Sequence, residues 1–270
     1  ITIPMTEEGP DMDAVEEDIK ATAVKGIWCV PKYSNPEGII YSKETIIRMA
    51  SMKPAAPDFT IMWDNAYCVH EFDGDYVEFP DILHQCKKYG NYDMVYEFAS
   101  TSKITFPGDG VACMATSEAN LEDFEKWIGI QTISYDKVNQ QRHVLYLQNR
   151  AHTLKLMKRH AAVMAPKFEA ALTILNREIA PLEIAGWSHP KGGYFISFNQ
   201  KGCAKRIVSL CKEAGVVLTG AGASFPHGVD PEDENIRISP TFPTEEELQK
   251  AMDVFVCAAK LAAAEQALAK

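Results

Sequence analysis

Lys103 stands in the run EFASTSKITFPGDG, one residue after Ser102 and three after Ser100, where an apolar segment gives way to a glycine-bracketed loop. No carboxylate adjoins it in sequence. Two other apolar segments end in a comparable way: GIWCV leads to Asn35 in YSNPEG, and FTIMW leads to Asp64, Ala66 and Tyr67 in DNAYCV. Taken singly, these residues have ordinary structural readings. Asn-Pro opens turns, an aspartate at a strand end caps a helix, a tyrosine fills a core, and a Ser/Lys cluster makes a solvated loop. Their joint placement at consecutive segment ends suits a single chemistry. A lysine that forms a Schiff base, an acid that keeps a pyridine nitrogen protonated, and hydroxyls that receive a phosphate together describe a site for pyridoxal phosphate. Such a lysine must lose its proton to attack, and burial promotes that loss by destabilising the ammonium.

The elements that must position these residues are readable from periodicity. Short apolar runs rich in Val, Ile and Phe alternate with helix-period segments, the pattern of an α/β fold whose mostly parallel sheet is covered by helices on both faces. Strands are expected at residues 1–5, 26–30, 59–63, 94–99 and 111–115, and helices at 12–21, 43–52, 81–89 and 121–128. In an open sheet of this kind ligands sit beyond the carboxyl ends of the strands, where Asn35, Asp64, Tyr67 and Lys103 fall. From about Tyr135 two long helical stretches follow, to residue 147 and over 151–179, with Pro166 predicting a kink or break. Beyond them come a strand in GGYFISFN, a helix in CAKRIVSLCKEAG, strands in VVLT and NIRIS, and a final helix opened by a Thr244–Glu247 capping box. The expected division is a large domain over 1–150 and a smaller α+β C-terminal domain over 151–270 that includes the long connecting helix.

Composition narrows the partners. At 270 residues a core can form without disulfides or a structural metal. A formal charge of −10 leaves no basic stripe for a phosphate backbone, so nucleic-acid binding is not expected. The seven cysteines are scattered, with no C-x-x-C, and are read as buried thiols in a reducing compartment. No apolar stretch is long enough to span a bilayer and no secretory signal opens the chain, which predicts a cytoplasmic protein with no membrane partner. No metal site is expected: His70, beside Glu71, is read as a surface or turn residue. Ile1 in place of a methionine predicts that the sequence begins inside a longer reading frame or after a cleavage.

The segments KGIWCVPKYSNPEG, WDNAYCVHEF, EFASTSKITFPG, PKGGYFISFN and NIRISPTFPT, in this order and spacing, resemble the fold-type I aminotransferases. The resemblance is closest to the class Ic aspartate aminotransferases, whose domain is shared with MocR-type regulators, and covers essentially the whole chain. It implies that Lys103 binds the cofactor aldehyde and shuttles the substrate Cα proton. It implies also that Asp64 pairs with the pyridine nitrogen, that Ala66 lies against the ring, that Tyr67 and Asn35 bond its phenolic oxygen, and that Ser100 and Ser102 hold the phosphate. Arg237 would clamp the substrate α-carboxylate, its planar fork matching both oxygens. Lys191 is read as solvated. The implied reaction is amino transfer between L-aspartate and 2-oxoglutarate in a homodimer acting on small amino acids and 2-oxo acids.

Two departures from the family pattern stand out. The position of the family's phosphate-binding arginine, eight residues past the lysine, is Val111. Family members also carry a long segment before the point resembling Ile1, including a wall of the cofactor site, so the chain alone is expected to bind cofactor weakly and to expose strand edges. A regulator's effector-binding module and a pyridoxal phosphate-dependent β-lyase remain open as alternatives. A penicillin-binding serine enzyme, suggested by STSK, YSN and KGG, is rejected because YSN precedes STSK. GAGASF near Gly220 lacks the third glycine and strand–helix context of a dinucleotide loop.

Overall fold

The computed structural model describes residues 1–269. A two-residue hairpin, β1 (Met5–Thr6) and β2 (Gly9–Pro10), precedes helix α1 (Met12–Asp18), strand β3 (Gly26–Cys29), helix α2 (Lys43–Ser51) and strand β4 (Thr60–Asp64). Helix α3 (Ile82–Lys88), strands β5 (Val95–Ser100) and β6 (Ala112–Ala115), and helices α4 (Glu118–Gln131) and α5 (Lys137–Leu147) complete the first half. β3, β4 and β5 run parallel in that spatial order and β6 closes the edge antiparallel to β5. The α/β fold class read from the periodicity is therefore the one observed, with one reversed edge strand.

Polar caps punctuate the helices. Ser42, Asp81, Ser117, Asp136 and Asn149 each accept a backbone N–H of the first turn that follows, supplying partners the helix itself cannot. Between these stops, Ile46, Met49 and Ala50 of α2 and Ile82 and Cys86 of α3 pack on Ile61, Trp63 and Val95 of the sheet. On β4, Ile61 and Trp63 are buried while their neighbours are half-buried, as the two-residue repeat of a strand requires.

The second half is built around helix α6 (Arg150–Glu178), followed by β7 (Gly186–Trp187), β8 (Ile196–Asn199), α7 (Ala204–Glu213), β9 (Asn235–Ile238) and α8 (Glu245–Leu268). β7, β8 and β9 form an antiparallel sheet on which α6, α7 and α8 lay Phe168, Ile174, Leu175, Ile207, Met252 and Phe255. The reciprocal Thr244–Glu247 capping box opens α8 as expected. Near its start α6 also packs Leu156 and Met157 on Ile104, in the loop that carries Lys103.

Several expectations are corrected. Residues 1–4 form no strand: Pro4 has no N–H for a ladder, and its carbonyl accepts from Asp11 N at 2.8 Å instead. VVLT is unpaired; Val216 and Leu218 turn toward the core while Val217 is 83% exposed, so the alternation is present without a neighbouring strand. Only the second half of GGYFISFN is strand. Pro166 does not break α6, which continues through it; the missing N–H is offset by the burial of Phe168, Ala171 and Ile174 just beyond. Cys113 and Cys257 are exposed, Cys68 is half-buried, and the other four thiols are buried as expected.

Phe168 is 1% exposed and stacks on Phe72 with centroids 4.2 Å apart, joining α6 to the loop after β4. Phe168→Ala is expected to cost about 3–5 kcal/mol, read as a lowered urea midpoint.

Candidate active site

The parallel strands deliver their carboxyl ends to one edge. Asn35 lies six residues beyond β3, Asp64 ends β4, Ala66 and Tyr67 occupy the turn after it, and Ser100 ends β5 with Ser102 and Lys103 following. Arg237 arrives from β9 of the small sheet, and its Nη1 donates to Asn35 Oδ1 at 3.1 Å. The Arg237 guanidinium also lies 4.5 Å from the centre of the Phe195 ring, while its Nε is buried without a partner.

Lys103 is half-buried with Nζ 3.9 Å from the centre of the Tyr67 ring. Burial pushes its pKa down; Asp64 opposes that shift and Arg237 reinforces it, so both charges act at the amine. The Tyr67 phenol is pushed up to about 12, chiefly by burial, with Arg237 acting against the shift and Asp64 with it. Ser100 Oγ donates to Ser102 Oγ at 2.8 Å and accepts from Ser102 N at 3.0 Å, holding the two hydroxyls side by side. A Cβ on Gly110 would fall 2.1 Å from Ser102 Oγ, so the absence of a side chain there keeps this pair in place. Val111 exchanges two 2.9 Å bonds with Thr101 and offers no cation.

His70 is a correction. It is 4% exposed, and its Nε2 lies 3.0 Å from the carbonyl oxygen of Lys103, which also accepts from Tyr194 Oη at 3.0 Å. The rings of Tyr67, His70 and Tyr194 meet edge to face with centroids 5.5–5.7 Å apart. Burial is the main force holding the His70 pKa down, at about 4; Lys103 and His160 add to it, and Glu71 and the hydrogen bond to Lys103 oppose it.

Lys32, which its local sequence does not single out, has a fully buried side chain that forms an ion pair with Glu71. It donates to the carbonyls of Cys68 at 2.9 Å and Val77 at 2.7 Å, tying the segment before Asn35 to the one after Tyr67. The only sequence signal was a lysine between Pro31 and Tyr33 in a strand-end turn. Lys191 is exposed as expected, and the glycines after it have a steric cause. A Cβ on Gly192 would lie 2.5 Å from both the His70 carbonyl and the Tyr33 ring, and Gly193 has φ +77°.

The residues present fit pyridoxal phosphate: burial lowers the pKa of the amine, two hydroxyls are paired beside a glycine, an acid ends the adjacent strand, and a buried guanidinium nitrogen lacks a partner. Among the described residues, no cluster of His, Cys, Asp and Glu could hold a metal ion.

The sequence profile of the aspartate amino-transferase family matches residues 1–270. A protein of Corynebacterium glutamicum named aspartate aminotransferase is 45% identical over 266 residues, covering 98% of this chain and 62% of that protein. A crystal structure of an aspartate transaminase from the same organism superposes with a TM-score of 0.97 at 44% identity, over 98% of this chain and 63% of the other. The α-aminoadipate aminotransferase of Thermus thermophilus, solved with N-(5'-phosphopyridoxyl)-L-leucine, shares the fold at 24% identity and a TM-score of 0.80, over 98% of this chain and 66% of the other. The chain thus spans somewhat over three fifths of the length of the relatives it matches.

Glu71→Ala leaves a buried ammonium without its counter-charge and is expected to cost about 3–5 kcal/mol in urea unfolding at neutral pH, whereas Lys32→Met/Glu71→Leu recovers most of that loss. His70 gives a second expectation. Its folded pKa lies below its ordinary value of 6.5, so the unfolded chain binds the extra proton and stability falls as pH drops from 6.5 toward 4. Between pH 6.5 and 4.5 the melting temperature of the wild type is expected to decline more steeply than that of His70→Phe.

Proposed function

The chain belongs to the aspartate amino-transferase family, and on that premise we propose that it forms the lysine-bearing part of a pyridoxal phosphate-dependent aminotransferase that moves an amino group between L-aspartate and 2-oxoglutarate. The observation that carries this reading is the convergence on Lys103: a half-buried amine with a lowered pKa, felt by an acid from β4 and by a guanidinium from the other sheet. When bound, pyridoxal phosphate supplies an aldehyde that condenses with amines and a cationic ring that accepts the electron pair released at a substrate Cα.

In this proposal Ser100 and Ser102 hold the phosphate through their hydroxyls, helped by backbone N–H groups of the loop. Asp64, as a carboxylate, accepts a hydrogen bond from the protonated ring nitrogen, leaving the proton and the positive charge on the ring. Asn35 and Tyr67 hydrogen-bond the ring's phenolic oxygen, and Ala66 leaves room for its flat face. Arg237 grips the α-carboxylate of the amino acid and orients the Cα–H bond toward Lys103. Lys103 Nζ, uncharged, takes the Cα proton and returns it at the carbon where the new C–H bond forms. Aspartate as the amino donor is supported by the named activity of the Corynebacterium glutamicum relative.

A homodimer is part of the same proposal. Its support is the run of exposed large apolar residues in α4 and the segment that follows: no residue of α4 is buried, Trp127 and Ile130 are 65% and 81% exposed, and Ile133, Tyr135 and Val138 are exposed as well.

Reduction with borohydride in the presence of pyridoxal phosphate, followed by peptide mapping, is expected to place the label on Lys103 and nowhere in Lys103→Ala. That substitution is also expected to lower aspartate-dependent amino transfer by roughly a thousandfold or more. A label on another lysine would sink the assignment, and faster turnover of alanine than aspartate would overturn the substrate.

A further inference from the structure

The carbonyl oxygen of Lys103 accepts two hydrogen bonds at 3.0 Å, from His70 Nε2 and from Tyr194 Oη, which stand 33 and 91 residues away in sequence. A carbonyl only accepts, so the His70 proton must sit on Nε2. His70 Nδ1 is then bare, and it is buried without a protein partner. A buried nitrogen left unpaired costs free energy, so the ring holds this orientation against a local penalty. His70 is itself fixed from the second half of the chain, since its carbonyl accepts from Gly193 N at 3.0 Å. Gly193 precedes Tyr194, and two residues after Tyr194 begins β8, whose Ser197 lies opposite Arg237.

The same three rings grip both ends of the lysine. Its amine rests over Tyr67, and Tyr67 abuts His70 and Tyr194 edge-on, the two donors to its carbonyl. We propose that His70 and Tyr194 are positioning residues for Lys103, fixing its backbone through two convergent hydrogen bonds and so tying the amine to the small sheet that carries Arg237. This rests on the reading of Lys103 as the cofactor lysine for its catalytic meaning, while the positional claim itself can be tested without cofactor. The pKa of His70, held near 4, keeps the ring neutral through the ordinary range of assay pH.

The experiment compares wild type with His70→Phe, His70→Gln, Tyr194→Phe and His70→Phe/Tyr194→Phe. Gln retains an N–H donor at a comparable reach and Phe retains only bulk. In cofactor-free protein, the pH dependence of Lys103 acylation reports the titration midpoint of its amine. In the double variant a freed backbone lets the amine reach water, so the midpoint is expected to rise toward the ordinary lysine value, with both single variants nearer wild type. With pyridoxal phosphate, half-saturation of borohydride labelling is expected to weaken three- to tenfold in each Phe single variant and to stay near wild type in His70→Gln. The double variant is expected to lose more than the product of the singles, because only there is the carbonyl left with no donor. An unmoved midpoint in the double variant, strictly multiplicative losses, or equal losses in His70→Gln and His70→Phe would each overturn the inference. A shifted midpoint in protein that is never labelled at Lys103 would uphold the positional role and defeat the cofactor assignment instead.

Discussion

Withdrawing a lysine amine from water costs free energy unless a carboxylate pairs with it, and much of the molecule is arranged around how two lysines meet that cost. Lys32 meets it with a full counter-charge: it is wholly buried, paired to Glu71 and bonded to two carbonyls, and it serves as a fixed tie between neighbouring turns. Both ammonium groups lie over an aromatic face, Lys32 over Tyr76 and Lys103 over Tyr67, and at Lys103 Asp64 draws the pKa up while burial and Arg237 draw it down. Burial pushes the pKa of both amines down, and Lys32 is held in addition by Glu71 and two carbonyls.

The candidate site lies where two sheets meet. The parallel sheet alone presents Asn35, Asp64 and Lys103, but the guanidinium that reaches Asn35 comes from β9 of the antiparallel sheet and the hydroxyl that holds the Lys103 carbonyl comes from the segment just before β8. The contact is close because Gly192 and Gly193 let one backbone settle against Tyr33 and His70. Behind Arg237, Ser197 Oγ donates to Glu37 Oε1 at 2.7 Å and accepts from Asn235 Nδ2 at 2.8 Å, a further stitch across the same seam.

What the sequence disclosed follows the range of the interactions. The strand-end cluster was legible because apolar runs, turn residues and hydroxyl–lysine spacing are local signals, and the capping box of α8 was legible for the same reason. His70 and Lys32 were not. Each is defined by partners more than thirty residues away, and nothing in VHEF or VPKY says that the ring or the ammonium turns inward. VVLT had the composition and alternation of a strand, yet pairing depends on a neighbour supplied by the rest of the chain. At Pro166 the local signal for a break is overridden, since α6 runs on through it into the packed turns of Phe168, Ala171 and Ile174.

Helix α6 has a mechanical corollary. It is 29 residues long, anchored near one end against Ile104 beside Lys103 and near the other within the core of the antiparallel sheet. The span from Leu156 to Leu175 is about 28 Å of helix, so a tilt of about 5° at the first anchor would swing the second through roughly 2.5 Å. Acting as a lever, it would convert an angular change smaller than a side-chain rotamer flip into a displacement comparable with the length of a hydrogen bond.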